Sequence, residues 1–292
     1  MTTTNTTRKT LTEVHTAPAG HWVGDGFPVR SLISLSRFGT RTLSPFLLLD
    51  YGGPHEFAPS AAPRGVEAHP HKGFETVTVV YQGEVEHRDS TGASGKIGPG
   101  DVQWMTAGAG IVHEEMHSEA FTRDGGAFEM VQLWVNLPAA HKDEPAGYQT
   151  LLAKDIPVVE LEGGRLRVIA GDHAGTPGAA RTFSPVDVWD VRLEAGAEAV
   201  LPVAEGHTTA IAVLRGGLEI GDQAVGEAEV ALFEREGAGI EVRATTDATF
   251  LVLAGQPLDE PVAAYGPFVM NTQQQIADAL HEYHSGKMGR LE

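Results

Sequence analysis

The chain has 292 residues, enough for one large domain or two ordinary ones with a sizeable core. Acidic residues outnumber basic ones by 39 to 21, a formal charge of −18, which disfavours a nucleic-acid partner; the densest basic spot, Arg165 with Arg167, is only a pair. Cysteine is absent, so disulfides and thiolate ligands are excluded, and a reducing, cytoplasmic setting fits. The start, MTTTNTTRKT, is polar, so no secretory leader is expected, and no apolar run reaches the ~18 residues of a membrane span. Beyond it, 35 Gly and 17 Pro punctuate short runs rich in Val, Leu and Thr. Strands are expected at 45–50, 76–82, 129–137, 186–193, 209–215, 228–233 and 248–254. Pro99-Gly100-Asp101 reads as a tight turn, 138–157 as a Pro-interrupted linker, and Gly216-Gly217 and Gly221-Asp222 as hairpin turns. From Thr272 to Ser285, Ile276, Ala279, Leu280 and Tyr283 recur at helical spacing behind a Thr272 N-cap. The pattern is that of an all-β chain with one C-terminal helix.

Two segments carry chemistry: His69-Pro-His71-Lys-Gly-Phe-Glu75 and Gly108-Ala-Gly-Ile-Val-His113-Glu-Glu115-Met-His117. Side chains at i, i+2 and i+4 share one face of a strand. A strand over 69–82 would align His69, His71, Glu75, Val77 and Val79, and a strand over 111–117 would align His113, Glu115 and His117. Facing each other across a small barrel, the two would gather His69, His71, His113 and Glu115 around one ion. Imidazole and carboxylate donors without sulfur suit iron(II), and also manganese, cobalt, nickel, copper or zinc. Four protein ligands leave open positions on an octahedral ion, as a reactive site needs. Glu75 could be a further ligand or a base, Glu114 should point away, and His117 lies roughly 6–7 Å further along the strand than a ligand should. His15, His21, His55, His87, His141, His173 and His281 read as scatter. His281 and His284 share a helix face but lack a third partner.

The halves of the chain repeat. Val79-Val80-Tyr81-Gln82-Gly83-Glu84-Val85 is echoed by Val213-Leu214-Arg215-Gly216-Gly217-Leu218, and Gly108-Ala-Gly-Ile by Gly237-Ala-Gly-Ile. In the second copy Pro202, Ala204 and Thr208 stand where the first has His69, His71 and Glu75, and Val242 and Ala244 where it has His113 and Glu115. Two similar β-barrels follow, with metal ligands in the first alone.

At these residues the chain resembles the pirin family of bicupins. His69-Pro-His-Lys-Gly-Phe-Glu-Thr-Val-Thr is similar to that family's HPH-[RK]-GFET signature. Pro99-Gly-Asp-Val-Gln-Trp-Met-Thr-Ala-Gly-Ala-Gly-Ile-Val-His113-Glu-Glu115 resembles its second block, and Gln132-Leu-Trp-Val-Asn-Leu and Gly266-Pro-Phe-Val-Met-Asn-Thr further landmarks. The resemblance implies two cupin (jelly-roll) barrels in tandem: 1–138 holding the metal, a linker at 139–157, a ligand-free barrel at 158–264, and a tail with the helix at 265–292. It implies His69, His71, His113 and Glu115 as ligands of one divalent metal, iron(II) in most family members, with Glu75 beside the site rather than in it. It implies two activities. One is a quercetin 2,3-dioxygenase-type reaction in which dioxygen opens a flavonol ring with loss of carbon monoxide. Glu115 or Glu75 would then be the base, and Trp104, Met105 and Gln132 the pocket wall. The other is metal-dependent, redox-sensing binding to a transcription factor or enzyme. A monomer is expected, since two barrels can cover each other's edges.

Overall fold

The structure, a computed structural model, describes residues 7–291; the first six residues of the polar start, and Glu292, lie outside them. The described chain is mostly β, and its sheets are antiparallel, as expected of an all-β protein. The expected strands appear, most of them within a few residues of their predicted ends, for example Val186–Leu193 and Ala248–Gly255, whereas the strand expected at 45–50 runs on to Phe57. The helix forms at Gln273–His284, where Thr272 and Gln275 close a capping box that satisfies two otherwise orphaned backbone donors.

Two compact units result, and neither is continuous in sequence. The first comprises Ala19–Leu35, Phe46–Ala153 and the described residues from Leu258 onward. The second comprises the described residues up to Pro18, Ser36–Pro45 and Lys154–Pro257. The expected division at 138 and 158 is therefore redrawn at both chain ends. Leu11–Thr16 pairs antiparallel with Glu229–Phe233, and its Leu11 and Val14 pack on the second unit's apolar cluster. The C-terminal helix packs Ile276 and Ala279 against Val112, Phe268 and Met270 of the first unit. The expected linker is partly strand as well: Gly147–Leu151 pairs with Val102–Thr106. Nearby, the buried Lys142 Nζ donates to Gly73 O (2.7 Å), Asn136 Oδ1 (2.8 Å) and Val269 O (2.9 Å). Burial lowers its pKa to about 7.

Six strands of the first unit carry the argument: β1 (Gly65–His71), β2 (Phe74–Gln82), β3 (Val85–Asp89), β4 (Val102–Thr106), β5 (Ile111–His117) and β6 (Gly126–Asn136). One sheet runs β1-β5-β3 and then Ser94–Ile97. The other runs Gly147–Leu151, β4, β2, β6, Phe46–Phe57, Phe27–Ser34, His21–Val23. The single strand expected over 69–82 is broken. Lys72-Gly73 separates β1 from β2, and the two strands join different sheets. Gly73 has φ +86°, open to glycine at little cost, and a Cβ there would meet the Val269 carbonyl. Gly73→Ala is therefore expected to cost about 3 kcal/mol of unfolding free energy in a urea titration. A loss under about 0.5 kcal/mol, the range of a neutral surface change, would contradict this account of the corner.

In the second unit a seven-stranded and a four-stranded sheet enclose an apolar cluster that includes Trp189, Leu201, Phe250, Val242 and Ala244. The last two stand at the positions of His113 and Glu115 in the repeat. Burying a Leu, Val or Phe side chain stabilises by roughly 1.5–3 kcal/mol, and with Val and Ala in place of ligands this interior serves packing.

Candidate metal centre

The antiparallel pairing of β1 with β5 sets His113 directly opposite His69, and Ile111 opposite His71. Directly opposed residues share a sheet face, and His71 lies two residues from His69, so all three imidazoles stand on one side. Their ring centroids are 4.3 Å (His69–His113), 4.8 Å (His71–His113) and 4.9 Å (His69–His71) apart. One nitrogen from each ring lies within 4.8 Å of the others, the one such group of three or more donors among the described residues. Past His113 the pairing slips, so that Glu115 meets Val66 and the spare residue bulges on β1.

Burial, then the neighbouring His69, drives the pKa of His71 well below its ordinary value, against a smaller pull from the Pro267 carbonyl. Burial, then His71, His69 and His87, does the same to His113. Both are neutral near pH 7, the form that binds a cation. His69 Nδ1–H donates to Glu67 O at 2.8 Å, which leaves its Nε2 with a free lone pair. His113 Nε2 and His71 Nδ1 are buried without any hydrogen-bond partner. Buried polar atoms without partners are costly, and a bound cation would satisfy them. The donor set fits a divalent metal.

Residues 28–135 match the family described as Pirin, and residues 188–289 the Pirin C-terminal cupin domain. The chain belongs to the pirin family. A Pseudomonas aeruginosa protein of this kind, named "Putative quercetin 2,3-dioxygenase", is 57% identical over 272 residues, 92% of this chain and 95% of that one. Human Pirin is 36% identical over 271 residues, 91% of this chain and 90% of its own. A crystal structure of quercetin 2,3-dioxygenase from Acinetobacter baumannii superposes with a TM-score of 0.95 at 52% identity, covering 98% of this chain and 100% of that one.

Against that pirin frame the other expected site residues divide by sheet face. Glu115 is buried on the imidazole side, where Thr78 Oγ1 donates to its Oε1 (3.1 Å) and Gln132 Nε2 to its Oε2 (2.9 Å). Thr78 lies opposite both Gln103 and Gln132, and Thr76 opposite Met105 and Trp134, so all six share the inner face. Met105 there packs with Ile111 and Tyr148. Trp134 meets His71 edge-on at 5.2 Å. Glu75 and Trp104 are corrections. Glu75 lies opposite Thr106, and Trp104 opposite Val77, so both stand on the outer face of β2 and β4. The break at Gly73 removes the continuous strand that would have aligned Glu75 with the histidines. Burial pushes the Glu75 carboxyl up to about 7, against Trp104 and Thr106.

Glu114 points away, as expected, and takes Arg88 Nε at 2.7 Å. His117 donates from Nε2 to Gly26 O (2.9 Å) and packs among Phe27, Phe57, Phe121 and Phe128. It is a core histidine. His87, read as scatter, is instead fully buried with its Nδ1 3.3 Å from His113 Nδ1. Its signal was present as His87-Arg-Asp89, the same alternate spacing as the ligand pairs.

Proposed function

We propose that the chain is a quercetin 2,3-dioxygenase-type oxygenase, opening a flavonol ring with dioxygen at a single metal held by His69, His71, His113 and Glu115. The observation that carries this reading is the convergence of three imidazoles, two of them held neutral by burial; the Glu115 carboxylate stands on the same face, outside that close group of donors. The 57% identity to the Pseudomonas protein named for this activity supports the substrate class. Access supports it too: His69, Gln132 and Trp134 are half-buried, so the imidazole side is not sealed from solvent. A closed structural metal would want a sealed shell.

A divalent ion bound there supplies Lewis acidity that makes a flavonol 3-hydroxyl easier to deprotonate, and a redox-active centre for dioxygen if the ion is iron. Glu115 is the carboxylate on the reacting side, and Thr78 and Gln132 hold it in one orientation. One of its oxygens takes the 3-hydroxyl proton as the flavonol enters, a role Glu75 cannot fill from the opposite face. Trp134 offers an aromatic wall beside His71 against which a flat ring can lie. Iron(II) as the resident ion, a monomeric state and a cytoplasmic location belong to the same proposal. Among the described residues, no helix is long and apolar enough to cross a membrane.

The test is turnover by metal-loaded protein with quercetin, following oxygen uptake, loss of flavonol absorbance and released carbon monoxide. One mole of carbon monoxide per mole of oxygen is expected, with elemental analysis giving one iron per chain. Bleaching that proceeds equally without metal, or releases no carbon monoxide, would sink the assignment.

A further inference from the structure

One buried polar chain lies behind the imidazoles with no part in the reaction described. The antiparallel pairing of β3 with β5 places Asp89 opposite His113 and His87 opposite Glu115, so all four share the inner sheet face. His87 Nε2 is 2.9 Å from Asp89 Oδ2, and His87 Nδ1 is 3.3 Å from His113 Nδ1. The His87 ring stacks on Tyr148 at 4.7 Å and 29°. Gln103 Nε2 also approaches His87 Nδ1, at 3.4 Å, and Gln103 Oε1 accepts from Tyr148 Oη at 3.1 Å. His87 and Asp89 are both buried.

Donor and acceptor accounting fixes the protons. Asp89 Oδ1 accepts from Thr91 N (2.8 Å), Thr91 Oγ1 (2.6 Å) and Ala93 N (3.3 Å). Burial would raise the Asp89 carboxyl, but the donors from His87 and Thr91 together hold it below the usual carboxylate range. A carboxylate only accepts, so His87 donates from Nε2. Gln103 Oε1 takes the Tyr148 hydroxyl, so the Gln103 amide N–H faces His87 Nδ1, which presents a lone pair to it. Two donors converge on that lone pair: the Gln103 amide and His113 Nδ1–H. His113 then has no proton on Nε2, the buried atom without a partner.

We propose that Asp89 and His87 form a positioning dyad that locks His113 in the tautomer able to bind a divalent cation through Nε2. The partner of a metal-bound histidine fixes its ring and raises its donor strength. Here that partner is a second imidazole, itself held by an anchored carboxylate. The proposal rests on the metal-centre reading, with His113 as a ligand.

The decisive substitution is Asp89→Asn, which conserves volume. The three donors at Oδ1 keep a carbonyl oxygen in that place, so the new amide turns its N–H groups toward His87 Nε2. His87 must then accept at Nε2 and carry its proton on Nδ1, which faces His113 Nδ1. That in turn moves the His113 proton to Nε2, where the cation should bind.

The experiment titrates the full chain with cobalt(II), reading affinity by competition with a chromophoric chelator and the visible absorption of the bound ion. Wild type is expected to bind one ion per chain. Asp89→Asn should weaken binding about 10–100-fold and alter the cobalt absorption, whereas His87→Gln, whose carbonyl can accept from His113 Nδ1–H, should stay within about threefold of wild type. Wild-type affinity and an unchanged spectrum in Asp89→Asn overturn the dyad while leaving the metal centre standing. Failure of wild type itself to bind overturns the metal-centre reading, and the dyad with it. If Asp89→Asn does not unfold cooperatively, His87→Leu set against His87→Gln decides. Loss with Leu and recovery with Gln supports the dyad, and equal affinity in both overturns it.

Discussion

His69→Ala is expected to remove the metal while leaving the fold in place. Of the three imidazoles, His69 alone is half-buried; His71 and His113 are buried among neighbours that their loss would disturb. Truncating His69 breaks one hydrogen bond, from Nδ1 to Glu67 O, at a cost of about 1 kcal/mol to the metal-free chain. Removing a ligand should weaken cation binding more than the 10–100-fold typical of losing only a partner of a ligand, so by upwards of about 100-fold. Turnover of flavonol should fall with it. The checks are metal content after gel filtration, chelator competition, and urea unfolding of the metal-free forms. Full retention of a tightly bound ion by His69→Ala would remove this cluster as the centre.

The three imidazoles were legible because their signal is local. Alternate spacing in two short strands puts the rings of each strand on one face, whatever else the chain does. The two strands, expected to face each other across a barrel, are instead neighbours in one sheet, and their pairing brings His113 opposite His69. Glu75 was misread because the break depends on Gly73, whose close approach to Val269 joins residues almost two hundred positions apart. A strand that changes sheet at such a corner resets the parity of everything beyond it. His87 and Asp89 repeat the ligand spacing, but their meaning depends on the register of β3 against β5, and register is not written in either strand alone. The exchanged chain ends were hidden for a related reason. Leu11–Thr16 is a short, weakly apolar segment whose partner, Glu229–Phe233, lies more than two hundred residues on.

Glu75→Gln is expected to flatten part of the dependence of stability on pH, with little effect on the metal. Burial on the outer face of β2 pushes the Glu75 carboxyl from an ordinary 4.5 to about 7. Between these values the folded chain keeps a proton that the unfolded chain has released. Stability from the protonated form is thus complete below pH 4.5, declines as pH rises through the window, and is lost above about 7. At 1.36 kcal/mol per pH unit, the interval from 4.5 to about 7 amounts to roughly 3 kcal/mol. Glutamine keeps the volume and the carbonyl that accepts from Thr106 Oγ1, but it has no proton to lose. Urea unfolding across this range should show Glu75→Gln gaining on wild type by up to roughly 3 kcal/mol as pH rises, then holding a constant lead. A difference that stays flat from pH 4.5 to 7 would mean that Glu75 does not titrate in that window. The same variant separates the two carboxylates. Glu75→Gln should bind the cation as wild type does, while Glu115→Gln should weaken it, because only Glu115 stands on the face with the imidazoles and takes the hydrogen bonds of Thr78 and Gln132.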